Sequence, residues 1–415
     1  MTRWPAVDAE SCRVNTSLPF ESPPPSGRNQ SRRTGVRPLP TSPTPAVGRL
    51  LELPPSGLSA DVADYLGLVD GLLTEVISDL DHLWTTKLDG TDVADVLGAS
   101  DLPQLLDQLI RTGGKRIRPV MAYLGWLSAS GGARNIGHAD VVQAGAALEL
   151  LHLFALIHDD VMDESSSRRG QPTAHTLASR LHAEQGARGS AQRFGESIAV
   201  LLGDLAHAEA DHLAADLPAP MRQIWRVLVV ELVCGQRRDL TGTAAGRRDL
   251  QHARQVARMK SGGYTVTRPL LLGAAAAKAP DVVFDHLSHY GRELGEAFAL
   301  RDDLLGIWGD PERTGKPSGD DLISGKPTVI LALADQRVRG AAKAAFDRVG
   351  TPALQTEDVT VLQAELQECG VVSEVERLIS DHVSSALSAL DERALDPDGV
   401  TQLIRMAHQI AWRDR

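Results

Sequence analysis

LLHLFALIHDDVMDESSSRRGQPT, residues 150–173, decides how the rest of the chain is read. Its first half reads as a strongly apolar helix, the kind that is buried in a protein core. Its second half gathers Asp159, Asp160, Asp163 and Glu164 at the end of that helix. At i, i+4 spacing Asp159 and Asp163 share a face, where like charges cost about 0.2–0.5 kcal/mol. The macrodipole also disfavours anions at a helix C-terminus. Some cation must compensate. Hard carboxylate oxygens at this spacing suit Mg²⁺, which keeps several waters and bridges protein acids to phosphates. Arg168 and Arg169 follow at once, and arginine forks match phosphate oxygens. Taken alone, the motif is equally a solvated acidic helix end.

A second stretch repeats the pattern. In AFALRDDLLGIWGDPERTGKPSGDDLISGKPT, residues 297–328, another apolar helix presents Asp302 and Asp303, and the loop beyond it holds Lys316, Asp320, Asp321 and Lys326. Two apolar helices ending in paired acids beside basic residues rarely arise as unrelated surface features. A third segment, RTGGKRIRPV at 111–120, has Gly113 and Gly114 where backbone can approach an anion, with Lys115, Arg116 and Arg118 supplying charge. Beside two acidic sites it reads as a diphosphate cradle rather than a bland surface patch. Lys260 and Ser261 in ARMKSGGYT, and Gln236 and Asp239 in CGQRRDL, are lesser candidates. His152 lies two turns before Asp159 on the same side of its helix, where a lone His is usually a satisfied core residue.

Apolar residues recur at helical spacing over 60–83, 102–111, 139–163, 194–215, 220–241, 250–277, 282–308, 326–336 and 372–390, with no useful β-alternation. The aromatic share is only 4% of the 415 residues, and Ala and Leu abound. The expectation is an all-α fold in a single domain over 58–415. Residues 1–57 hold eleven of the 23 prolines and predict a disordered, Pro/Ser/Arg-rich extension. A net charge of −11 argues against nucleic acid as a partner. Three scattered cysteines exclude a disulfide framework. No signal peptide and no long uncharged apolar run stand out, so a soluble cytoplasmic protein without stable membrane insertion is expected.

GGKRIRP, HDDVMD with RRG, LLGDLA at 201–206, GQRRDL, KSGGYT, and DDLLG with TGKPSGDDLISGK together resemble the trans-polyprenyl diphosphate synthase family, in the version common in actinobacteria. The resemblance spans roughly residues 95–340. It implies an all-α isoprenoid synthase fold around a central cavity, a homodimer, and three Mg²⁺ ions on an allylic diphosphate. By that resemblance Asp159 and Asp163 ligate two ions and Asp302 the third, with Asp160, Asp303 and Asp321 in support. Arg168, Lys260 with Ser261, and Lys316 would bind the allylic diphosphate. Gly114, Lys115, Arg118, His152 and Arg169 would bind isopentenyl diphosphate, and Lys326 would close the rim.

Two departures stand out. Gly306 replaces the family's usual third aspartate in the second motif, and Ala299 replaces its usual Gln, so reduced or altered binding of the third ion is expected. Phe154, five residues before Asp159, with the small Ala155 beside it and no insertion in DDVMD, resembles synthases that stop at geranylgeranyl diphosphate, C20. Two other readings compete. A class I terpene cyclase would lack GGKRIRP and the paired Arg168 and Arg169, and would carry more aromatics. A non-catalytic partner subunit would have little reason to keep so many mutually repelling charges.

Overall fold

The computed structural model describes residues 60–87, 96–98, 101–168, 170–310 and 318–413. All of them belong to the compact unit Thr41–Arg415. The extension expected over 1–57 lies outside the described residues, as do Arg169 and Lys316.

Helices carry the described chain: α1 (Ala60–His82), α2 (Leu102–Arg111), α3 (Ile117–Ala129), α4 (His138–Met162), α5 (Ala174–Glu184), α6 (Ala191–Ala215), α7 (Ala219–Ala244) and α8 (Leu250–Val256). A π-helical segment, Ala257–Thr267, continues into α9 (Arg268–Ala276) and then α10 (Asp281–Trp308). Beyond these come α11 (Asp320–Ser324), α12 (Val329–Arg337), α13 (Ala341–Phe346), α14 (Thr356–Glu368), α15 (Val371–Ser388) and α16 (Pro397–Ala411). Two-residue strands β1 (Ser167–Arg168) and β2 (Gln171–Pro172) form an antiparallel turn just after α4. The all-α expectation is correct.

Local chemistry sets many of the boundaries. Asp101, Ser190, Asp249, Thr328 and Asp396 each accept a backbone N–H at the start of a helix, satisfying a donor that the first turn leaves orphaned. Thr328 places the start of α12 at Val329, so the helix expected from 326 begins three residues later, after Pro327. The stretch 250–277 is three pieces rather than one, because the backbone widens to i→i+5 bonding through its middle, ending with Arg268 N–H on Gly263 O. Helix α3 falls inside and beyond the basic segment, and α5, α14 and α16 were not foreseen.

Helix α4 packs on α6 and α3, and α10 on the π-helical segment and α15. Leu148, Leu150 and Leu151 of α4 are wholly buried, each contributing about 1.5–3 kcal/mol of apolar transfer. Helix α4 has the length and apolarity to cross a membrane, yet most of that stretch is buried within the fold, which is how a core helix meets the same test. Gly262 and Gly295 bring the π-helical segment and α10 into backbone contact, since a side chain on either would strike the other's backbone.

Candidate active site

The first acidic motif emerges from the core with its charges already matched. Lys260 Nζ donates to Asp159 Oδ1 at 2.9 Å and to Asp239 Oδ2 at 2.5 Å. Gln236 Nε2 donates to the same Asp159 oxygen at 3.0 Å. Lys326 Nζ, arriving from beyond the second motif, donates to Asp163 Oδ2 at 2.7 Å. Arg168 grips Asp160 with Nε and Nη2 at 2.7–2.9 Å, while its Nη2 also lies 3.7 Å from Asp159. Burial opposes ionisation of Asp159, but Lys260, Lys326 and Arg168 outweigh it and hold that carboxyl far below the usual range. Burial likewise opposes charge on Lys326, and Asp321, Asp163, Asp159 and Asp239 overcome it, so its ammonium is held well above the usual lysine value.

A second group of side chains gathers around Tyr264 in the π-helical segment. His152 Nδ1 shares a hydrogen bond with the Tyr264 hydroxyl at 3.0 Å. The Arg118 guanidinium lies 4.0 Å from the Tyr264 ring centroid and donates through Nη2 to Thr265 Oγ1 at 2.8 Å. Arg118 is buried, yet its Nε has no hydrogen-bond partner. A buried unpartnered guanidinium nitrogen is costly and suits an anionic ligand. Burial pushes the Tyr264 hydroxyl up from its ordinary pKa, with Arg118 opposing and Asp159 adding to that shift. His152 is therefore part of a polar network rather than a solitary core histidine.

The second motif is arranged differently. Asp302, half-exposed, accepts from Arg413 Nη2 at 2.5 Å, and that guanidinium stacks 4.1 Å over the Phe298 ring. Next door, buried Arg301 binds the Ala411 carbonyl at 2.6 Å and both oxygens of Glu376, anchoring the end of α16 to α10. Asp303 accepts from Val329 N–H at 3.3 Å, and burial, with Asp321 and Asp302 adding repulsion, pushes its carboxyl well above the usual range. Space over Gly306 is filled by the Asp321 carboxylate, which a Cβ there would strike.

This arrangement has counterparts of known fold. A polyprenyl synthetase family model matches residues 100–366. The chain belongs to the polyprenyl synthetase family. It is 32% identical over 301 residues to a geranylgeranyl diphosphate synthase of Mycobacterium tuberculosis, covering 71% of this chain and 80% of that protein. It is 30% identical over 314 residues to a (2E,6E)-farnesyl diphosphate synthase of Mycobacterium bovis, covering 72% and 80%. Among solved structures, a geranylgeranyl pyrophosphate synthase from Corynebacterium glutamicum, complexed with isoprenyl diphosphate and magnesium, superimposes with a TM-score of 0.77 at 35% identity, covering 85% of this chain and 99% of that one. The protein is thus a prenyl diphosphate synthase, a prenyltransferase of isoprenoid biosynthesis.

Within this synthase, Asp159, Asp163, Lys260, Gln236, Asp239 and Lys326 come together in one network, as do Arg118, His152 and Tyr264. Asp160, expected in a supporting place at the metal, accepts from Arg168. Arg116 is a correction to the basic cradle: it adopts a left-handed backbone and pairs with Glu149 at 2.5 Å and Asp70 at 3.0 Å, so its charge serves the core. Gly114 and Lys115 are exposed in the α2–α3 loop, and Ser261 sits one residue beyond Lys260. Ala299 is buried in α10. Tyr264, Thr265 and Arg413 were missed as site residues; KSGGYT pointed near the first two, while no sequence signal marks Arg413.

Among the described residues, no three acids or imidazoles converge as a ready-made metal cluster. The donor set still fits Mg²⁺. Asp159, whose charge Lys260, Lys326 and Arg168 stabilise, and Asp163, which accepts from Lys326, offer carboxylate oxygens of the kind that suit an ion commonly held by one or two carboxylates together with substrate phosphates rather than by a protein cage.

Proposed function

We propose that this synthase condenses isopentenyl diphosphate head-to-tail with allylic diphosphates in a Mg²⁺-dependent reaction, ending at geranylgeranyl diphosphate. The observation that carries this reading is the convergence of Lys260, and of Lys326 from beyond the second motif, on Asp159 and Asp163 of the first, at the end of one apolar helix. Bound Mg²⁺, three ions by family resemblance, would neutralise the charge developing on the departing diphosphate. Asp159, Asp163 and Asp302 are the carboxylates that would hold it.

Lys260, Lys326 and Arg168 supply fixed positive charge beside the same diphosphate, favouring ionisation of the allylic C–O bond. Arg118, with its unpartnered Nε, and His152 lie on the side suited to isopentenyl diphosphate, whose double bond attacks the allylic cation. Lys115, Arg169 and Lys316 are assigned to diphosphate binding by resemblance. Loss of a proton, by family resemblance to the departed diphosphate, then regenerates an allylic product one isoprene unit longer. Exclusion of water by the surrounding helices protects the cation from hydrolysis. Phe154 is proposed as the floor that limits chain length, with Ala155 leaving room beside it.

A homodimer in the cytoplasm is part of the same reading. Val200 and Leu201 on α6, and Val227, Val230 and Val233 on α7, are 42–61% exposed. Exposed apolar residues on two helices are consistent with a surface for association, and a second copy is the partner the resemblance implies. Light scattering on the purified chain tests this.

The decisive assay supplies purified protein with Mg²⁺, isopentenyl diphosphate and each allylic primer from C5 to C20, then reads product length chromatographically. Elongation ending at C20 is expected, with loss of activity on chelation. No elongation from any primer overturns the proposal.

A further inference from the structure

We propose that His207 is a positioning residue for product length, holding the Phe154 ring in place from across the α4–α6 contact. This rests on the reading of Phe154 as the floor and deepens it. The Phe154 ring is only partly buried, so close packing on all sides does not fix its rotamer. Two imidazoles do that instead. His207, from α6, stacks on Phe154 with centroids 4.6 Å apart and planes 21° apart. His158, one turn further along α4, meets the same ring edge-on at 4.7 Å and 64°.

The brace is built into α6. Gly203 leaves room for the His158 imidazole, which any Cβ at that position would strike. His158 Nε2 is tied to the Val200 carbonyl at 3.0 Å. His207 Nε2 is buried without a hydrogen-bond partner, its nearest acid being Asp211 at 3.8 Å, so the ring's specific contact is its face against Phe154. Gly203 and His207 lie one turn apart on the same helix face, in and just after the LLGDLA motif that the condensation chemistry leaves without a task. Flat rings stacked and crossed in this way favour particular orientations, and a floor is only as firm as the side chain that forms it.

The test compares product lengths made by the full-length protein carrying His207→Ala, His207→Phe or Phe154→Ala, with total isopentenyl incorporation and melting temperature measured alongside. His207→Ala is expected to move a major share of product from C20 to C25 and longer, with total incorporation within about twofold of wild type. His207→Phe, which restores a stacking ring, is expected to keep C20. If Phe154→Ala lengthens the product and His207→Ala does not, the positioning role of His207 is overturned while the floor reading stands. If His207→Phe lengthens it as much as His207→Ala, ring stacking is not the cause and the inference fails. If Phe154→Ala leaves length unchanged, the floor reading itself fails and this inference with it. Should His207→Ala not fold, His207→Asn, short and polar, carries the same comparison.

Discussion

The Asp321 carboxylate lies over Gly306, in the space that a side chain on that turn of α10 would need. On the proposed reading, Asp321 of α11, which also bears electrostatically on Asp303 and Lys326, would partly fill the deficit expected at the third metal position. Gly306→Ala should push Asp321 aside. Because such supporting groups typically contribute 10–100-fold to metal affinity, we expect about tenfold weaker Mg²⁺ binding by calorimetry in the presence of a non-hydrolysable allylic diphosphate. Gly306→Asp should not improve on wild type. Tighter binding by either variant would contradict this account.

Asp303 is held in a place that disfavours its charge. Its carboxyl is pushed up by burial, then by Asp321 and Asp302, so the folded protein binds a proton there more tightly than the unfolded chain does. Stability without metal should fall as pH rises from the ordinary aspartate range through the raised folded value. Asp303→Asn should remove that loss, raising the metal-free melting temperature at pH 7 by about 2 °C, the shift corresponding to roughly 1 kcal/mol in a large domain. The gain should shrink toward pH 4. A gain independent of pH would show that charge is not the cause.

Arg413 is paired with Asp302, the carboxylate that the proposed reading assigns to the third metal ion. Its pair with Asp302 is half-exposed on the acid's side, and such pairs contribute up to about 1 kcal/mol. Arg413→Gln should therefore strengthen Mg²⁺ binding about two- to fivefold in a direct titration. Unchanged or weaker binding would mean that Arg413 does not compete at Asp302.

Two neighbouring arginines should separate cleanly. Arg116→Ala strands buried Glu149, and removing one partner of a buried pair costs about 3–5 kcal/mol, to be read as a lowered denaturation midpoint. Arg118→Ala should mainly raise the KM for isopentenyl diphosphate, with a smaller change in stability. If the two variants swap these effects, the assignment of Arg118 to the substrate is wrong.

Both acidic motifs, Lys260 and Lys326 were legible from residue type and spacing, because paired acids at a helix end need compensating cations wherever they occur. Arg118 was legible only as charge, and its difference from Arg116 was not, since both read as basic residues two positions apart. A left-handed backbone at Arg116 sends one inward to Glu149 while the other reaches Tyr264. The widened helix through KSGGYT was equally hidden, as i→i+5 bonding leaves no periodic trace in eleven residues.

From sequence alone came the all-α class, the family and the first acidic cluster, each carried by local patterns that a helix converts directly into shared faces. Tertiary structure alone decided that Lys326 would meet Asp163, that Asp321 would cover Gly306, that Arg413 would hold Asp302 and that His207 would stack on Phe154. Those contacts join residues 15 to 163 positions apart, and their geometry depends on how helices pack rather than on what any one helix contains.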